Sequence, residues 1–252
     1  MNRETTAIEV VGLAKSYPDQ PVLRGIDLTV PSGSVYALIG PNGAGKTTMV
    51  RILSTLITAD AGRAVVAGSD VSTNPDEVRR AIGVTGQFSA IDELLTGREN
   101  LRLMADLAHL RAADATARVG ELLTRFGLED AADRRASTYS GGMKRRLDLA
   151  MTLVARPRLI FLDEPTTGLD PRSRRDLWEI VRGLVEDGVT IFLTTQYLEE
   201  ADQLADVVGV LDSGVIVASG SPAELKAGAG AATLDDVFLA LTGHSVGTEV
   251  GS

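Results

Sequence analysis

The stretch Val35-Tyr36-Ala37-Leu38-Ile39-Gly40-Pro41-Asn42-Gly43-Ala44-Gly45-Lys46-Thr47-Thr48 decides the fold. A short apolar run ends in a glycine-rich loop, and Lys-Thr-Thr then opens the helical spacing of Met49, Val50, Ile52 and Leu53. The spacing G-x-x-x-x-G-K-T is that of a phosphate-binding loop. Gly40, Gly43 and Gly45 carry no Cβ, so the backbone can curl around an anion and turn its N–H groups inward. Pro41, Asn42 and Ala44 fill the spacing between them. Lys46 has the reach and charge for terminal phosphates, and the Thr47 hydroxyl suits Mg²⁺, a hard cation that prefers oxygen. Thr48 continues into a helix whose positive end faces the same anion. An ordinary glycine turn would need neither the Lys-Thr pair nor the strand before it. The stretch implies a nucleoside-triphosphate site.

Working outward, the 252 residues suit one large domain or a core with one inserted lobe. Hydrophobic content is 44% with aromatics at 4%, so the core is Val, Leu, Ile and Ala, as in an α/β sheet packed by helices. The net charge of −9 argues against a duplex nucleic-acid binder, which needs a basic face. The absence of cysteine excludes disulfides and thiolate metal sites and fits a reducing compartment. The start, Met1-Asn2-Arg3-Glu4-Thr5, is polar and leads into no secretory apolar segment. No apolar run approaches the roughly 20 residues of a spanning helix, so a soluble chain is expected and any membrane role passes through a partner.

Before the loop, Ile8 to Leu13 reads as a strand, Tyr17-Pro18-Asp19-Gln20-Pro21 as a turn, and Val22 to Val30 as a strand that alternates from Ile26 onward. Residues 63–84 read as a mixed strand and turn region. From Gln87 to about Arg156 the pattern turns helical, with Leu101, Met104, Leu107 and Ala108 on one face and Leu122, Leu123 and Phe126 on another. Leu159 to Leu162 and Val189 to Thr194 are buried strands. Asp170-Pro171 starts a helix with Asp as N-cap, Leu198 to Ala205 is a helix, and Val207–Leu211 pairs with Val215–Ala218 across a tight turn. Leu234, Val237, Phe238 and Leu241 make a last amphipathic helix that covers the chain's own core, and the end beyond Gly243 reads as loose. No internal repeat is visible. The expected architecture is an α/β phosphate-loop core over about 6–87 and 157–220, with an antiparallel β part. A helical lobe is inserted over about 88–156, and a C-terminal helix and tail occupy 221–252.

Three further constellations carry chemistry. The apolar run Leu159-Ile160-Phe161-Leu162 ends in Asp163-Glu164. Such acids are often merely solvated, but downstream of a phosphate loop Asp163 can hold Mg²⁺ or its water, and Glu164 can act as general base on an attacking water. Tyr139-Ser140-Gly141-Gly142-Met143 stands before a helix, with Ser140 as N-cap and two glycines leaving N–H groups uncovered for an anion. Lys144, Arg145 and Arg146 follow in its first turn, where cations oppose the helix dipole, which predicts a compensating anion nearby. His109 and His244 read as surface or packing residues.

With these residues in place, the chain resembles the ATP-binding subunit of an ABC transporter, from about Ile8 to Leu241. The resemblance implies that Tyr17 stacks on adenine, that Gln87 links Mg²⁺ to the helical lobe, and that Ser140-Gly141-Gly142 are a signature segment binding ATP. It also implies that Gly168-Leu169-Asp170 lie at a dimer interface. The segments Thr138–Leu147, Thr194–Asp202 and Thr233–Gly243 resemble daunorubicin-resistance-type drug-export ATPases. Two positions depart from the family's pattern: Tyr139 and Met143 replace the usual Leu and Gln of the signature, and Gln196 stands where His is usual. An amide still donates a hydrogen bond but carries no proton or charge at neutral pH. The resemblance implies two copies paired head to tail, each ATP lying between the phosphate loop of one and Ser140–Gly142 of the other. It further implies a separate membrane-spanning permease, a place on the cytoplasmic face of a bacterial membrane, and export of a hydrophobic drug or antibiotic. A soluble ATPase acting in translation or DNA repair would bring two cassettes or a long coiled coil, and the chain shows neither. A lipid or polysaccharide exporter stays open on the motifs alone.

Overall fold

Alternating burial organises the first strands. In the computed structural model, which describes residues 6–18, 20–86 and 90–243, β1 (Thr6–Tyr17) and β2 (Gln20–Pro31) form an antiparallel hairpin. From Ile26 the side chains of β2 alternate buried and exposed, one face on the core and one in water. β3 (Val35–Ile39) is buried at every position and delivers the chain into the phosphate loop and α1 (Lys46–Leu53). β4 (Ala61–Val66) and β5 (Ser69–Asp70) complete a four-stranded sheet in the order β2-β1-β4-β5.

The mixed region expected over 63–84 holds a helix that hydrophobic spacing does not reveal. α2 (Pro75–Ala81) is seven residues long and buries only Val78 and Ala81, too little for a periodic stripe. Its start is legible in chemistry instead, with Pro75 at the first position and Asp76 and Glu77 in the first turn. β6 (Ile82–Thr85) follows. The helical stretch contains α3 (Gly97–Leu107), opened by a capping box between Thr96 and Glu99, then α4 (Ala112–Arg125) and α5 (Gly141–Thr152). The chain returns through β7 (Leu159–Asp163), α6 (Pro171–Glu186), β8 (Thr190–Thr195), α7 (Leu198–Leu204), β9 (Val207–Asp212) and β10 (Val215–Gly220). Two helices close it, α8 (Pro222–Ala229) and α9 (Leu234–Thr242). α8 is a second departure from the expected single terminal helix. It buries no residue, so no apolar face announces it, although Ser221 and Glu224 form its capping box and Pro222 opens it. The end beyond Gly243 lies outside the described residues.

The second sheet has the order β10-β9-β3-β8-β7-β6, parallel except for β10 at the edge. It divides the core in two. Val35, Ala37 and Ile39 of β3, Ile160 and Leu162 of β7, and Ile191 and Leu193 of β8 face one side, where their core runs on to Leu101, Leu122 and Phe126 of the helical stretch and to Val237 and Phe238 of α9. Tyr36, Leu38, Phe161 and Phe192 face the other, against α1 and the antiparallel sheet. There the rings of Tyr36 and Phe192 stack at 5.4 Å. Each fully buried side chain of this size contributes about 1.5–3 kcal/mol. α6 and α7 also share a polar contact inside the first core: Trp178 Nε1 donates to Glu200 Oε1 at 3.1 Å, and Glu200 is 1% exposed. Among the described residues, no helix is long and apolar enough to cross a membrane.

Candidate functional site

The parallel sheet places the candidate residues by register. β8 lies between β3 and β7, with Ile39 opposite Thr195 and Asp163 opposite Thr194. The three chains therefore leave the sheet at one edge: Gly40 from β3, Glu164 from β7 and Gln196 from β8. Ile39 and Thr195, 156 positions apart in sequence, become neighbours because three short buried strands stop at nearly the same level.

In the phosphate loop, Gly45 has φ of 112° and caps α1, a conformation closed to a side chain. A Cβ there would also meet Leu23 Cδ2 at 2.8 Å. Lys46 is 5% exposed, and its ammonium donates to the carbonyls of Gly40 at 2.8 Å and Pro41 at 3.2 Å. Its Nζ lies 3.6 Å from Glu164 Oε1. Burial pulls the Lys46 pKa down, and the charges of Glu164 and Asp163 oppose that shift. The loop, Thr47, Thr48 and Glu164 line a cavity of about 380 Å³, closed on its other side by Gln20 and Val22 of β2. Tyr17 sits at the rim rather than in the wall: it pairs with Gln20 across the hairpin, is 43% exposed, and has Lys15 Nζ 5.8 Å from its ring centre.

Asp163 is 4% exposed and accepts a hydrogen bond from the Thr194 hydroxyl and, at 3.5 Å, one from Thr47 Oγ1. Glu164 has φ of 50°, which costs a residue with a side chain about 1–3 kcal/mol. Its N–H donates to the Thr194 carbonyl at 3.0 Å, so β8 holds the strained residue in place. Thr194 thus touches both acids, a role hidden in the sequence because it depends on strand register. Thr195 acts next to it: its hydroxyl accepts from the Tyr197 N–H at 2.9 Å, turning the chain at Gln196, which is half-buried. The oxygens of Thr47 and Asp163 are hard donors suited to Mg²⁺. Among the described residues no three Asp, Glu, His or Cys side chains gather to hold a metal by themselves, so the remaining ligands would be water and phosphate oxygens, as Mg²⁺ usually takes. Gln87 lies outside the described residues.

Ser140 caps α5 by accepting from the Met143 N–H at 3.2 Å. A Cβ at Gly142 would come within 2.5 Å of Ser173 Oγ, so this glycine also lets α6 pack close to α5. Ser173 in turn donates to Asp170 Oδ2 at 2.6 Å, while Asp170 Oδ1 accepts from the N–H groups of Arg172 and Ser173. Ser140, Gly141, Gly142 and Asp170 therefore cluster at the adjoining starts of α5 and α6, and none of them lines the phosphate-loop cavity. The compensation predicted for Lys144, Arg145 and Arg146 lies within the chain. Lys144 pairs with Glu93, Arg145 Nε donates to the Pro165 carbonyl at 2.7 Å, and Arg146 Nη1 donates to the Phe126 carbonyl at 3.0 Å.

The family pattern described as "ABC transporter" matches residues 23–167. The daunorubicin/doxorubicin resistance ATP-binding protein DrrA of Streptomyces peucetius is 54% identical over 235 residues, which cover 93% of this chain and 71% of that protein. The Nod factor export ATP-binding protein I of Rhizobium meliloti is 43% identical over 220 residues, covering 87% and 66%. A solved structure described as an ATP binding subunit of an ABC transporter superimposes with a TM-score of 0.83 at 31% identity, over 94% of this chain and 99% of that one. A phosphate loop facing an acid pair across β8, with a glycine-marked helix start beside Asp170, agrees with these likenesses, and the chain belongs to the ABC transporter family as an ATP-binding subunit.

Proposed function

We propose that the chain binds ATP with Mg²⁺ and hydrolyses it as one of two paired copies, driving export of a hydrophobic drug or antibiotic through a separate membrane-spanning subunit at the cytoplasmic face of a bacterial membrane. The observation that carries the reading is the meeting of β3 and β7 at one sheet edge: Lys46 Nζ lies 3.6 Å from Glu164, and Thr47 Oγ1 lies 3.5 Å from Asp163. The loop N–H groups and Lys46 bind the phosphates, Lys46 exchanging its carbonyl partners for phosphate oxygens. Thr47 and Asp163 would hold the metal, with Gln87 kept as a third candidate on sequence grounds. Bound there, Mg²⁺ would neutralise charge on the phosphate oxygens. Glu164 accepts the proton of a water whose oxygen attacks the terminal phosphorus. The bond to the bridging oxygen breaks, and ADP and phosphate leave. Gln196 donates its amide to the terminal phosphate or the water, and Tyr17 stacks on the adenine at the cavity rim.

In the paired form, Ser140, Gly141 and Gly142 of one copy close over the phosphates in the other, and Asp170 lies at the contact. Their place outside the chain's own phosphate cavity supports an intermolecular role. The drug reading rests on relatives named for daunorubicin and doxorubicin resistance, which are more similar to the chain than the Nod factor exporter. The test is Lys46→Ala. ATP affinity by titration calorimetry falls about ten- to a hundredfold, the scale of a lost hydrogen bond to a charged group. Doxorubicin efflux from cells carrying the chain and its permease stops with it. Unchanged affinity and turnover remove the site assignment. ATP turnover that the permease stimulates but doxorubicin efflux does not follow removes the drug reading alone.

A further inference from the structure

Helix α5 carries, one turn apart, an arginine and an aspartate that hydrolysis as described does not use. The side chains of Arg145 and Asp148 are only 15% and 6% exposed. Arg145 makes three directed contacts: Nε donates to the Pro165 carbonyl at 2.7 Å, and Nη1 donates to the Gly86 carbonyl at 3.2 Å and to Asp148 Oδ2 at 3.3 Å. Asp148 Oδ1 accepts from the Ala90 N–H at 3.2 Å. Among the described residues Arg145 Nη2 has no hydrogen-bond partner, and Arg145 shares the wall of a cavity of about 250 Å³ with Glu164, Pro165 and Thr167.

A guanidinium in such a place carries a desolvation cost that an apolar residue of the same volume would avoid. Its contacts show where that cost is spent. Glu164 is the strained residue, and it must be held on both sides. On its N-terminal side the N–H bonds to β8. On its C-terminal side the next residue is Pro165, which has no N–H, so the Pro165 carbonyl is that residue's only backbone hydrogen-bonding group. Arg145 takes it. The planar fork of arginine allows Nε and Nη1 to serve different partners at once, and Asp148 fixes the plane of the fork.

We propose that Arg145 is a positioning residue for Glu164, acting through the Pro165 carbonyl, with Asp148 aiming its guanidinium. The proposal rests on Glu164 being the general base. Nucleotide binding does not pass through this contact, so turnover and affinity should separate. A lysine at 145 keeps the charge but offers a single ammonium that cannot span the same partners.

The experiment is steady-state Mg-ATP hydrolysis by the full chain with its permease. Wild type is compared with Arg145→Lys, Arg145→Gln and Asp148→Asn, with Glu164→Gln as reference. Calorimetry gives ATP affinity and binding stoichiometry, and thermal melts give stability. Both Arg145 variants should lose about ten- to a hundredfold in kcat with KM, affinity and stoichiometry within about twofold of wild type. Asp148→Asn should show a smaller loss of the same kind. If Arg145→Gln does not fold, Arg145→Lys and Asp148→Asn decide the matter. Wild-type kcat in the folded Arg145 variants, with Glu164→Gln inactive, overturns the proposal and leaves the general base in place. A kcat loss that only tracks lost binding stoichiometry or a lowered Tm overturns it as a folding effect. Wild-type turnover in Glu164→Gln removes the general base itself, and the positioning role with it.

Discussion

Gln196 shows what one side chain at the end of a buried strand can contribute. It stands two positions past Thr194, which bonds to both acids, and the Thr195 hydroxyl fixes the turn around it. A hydrogen bond from its amide to a charged group is worth about 1.5–3 kcal/mol, so Gln196→Ala should slow ATP turnover about ten- to a hundredfold. Gln196→His should keep activity and add a titration near the reference histidine value of about 6.5. Steady-state rates of the three forms with the permease, from about pH 6 to 8, check this, and wild-type rates in the alanine form would leave Gln196 a bystander. At this scale the sequence is a partial guide. Lys46, Thr47, Asp163 and Glu164 are legible because a short motif carries each of them. Thr194 and Arg145 are not, since each acts on residues some 20–30 positions away that only strand register and helix packing bring close.

At the scale of elements, chemistry and periodicity reveal different things. β3, β7 and β8 are legible as unbroken apolar runs, and α9 as a periodic stripe. α2 and α8 escape periodicity because one buries two residues and the other none, leaving only cap chemistry to mark them. The contact between α6 and α7 gives a testable electrostatic consequence. Burial pushes the Glu200 carboxyl pKa up, more than its hydrogen bonds and the nearby Arg174 charge pull it down. A carboxyl raised in the folded state is protonated alike in both states below the ordinary value of 4.5, and its cost appears as pH rises through the folded value. Glu200→Gln keeps an acceptor for Trp178 Nε1 and removes the charge. Its Tm should match wild type below about pH 4.5 and exceed it increasingly toward neutrality. Melts at several pH values read the difference, and equal Tm values throughout would show that the buried carboxylate costs nothing.

For the whole molecule, the proposed pairing has a second copy supply Ser140, Gly141 and Gly142, which do not line the chain's own phosphate cavity. With hydrolysis blocked, Glu164→Gln in Mg-ATP should run as a dimer on sizing, and a further Ser140→Arg should return it to monomer by filling the signature with a bulky cation. A Glu164→Gln chain that stays monomeric with ATP at high concentration, and in the complex shows single-copy stoichiometry, counts against pairing. The α/β class and the split between parallel and antiparallel sheets were legible from strand composition and alternation. The strand order was not, because β3 pairs with β8 and β9, whose residues arrive late in the chain. That order has a consequence in time. A ribosome adding about 5–20 residues each second makes roughly 150 residues between β3 and its first neighbour, so the strand waits on the order of ten seconds or more. Throughout that interval Val35 to Ile39, a wholly apolar segment, has no sheet to enter. The strand that leads into the phosphate loop is therefore paired only after some three quarters of the chain has been made.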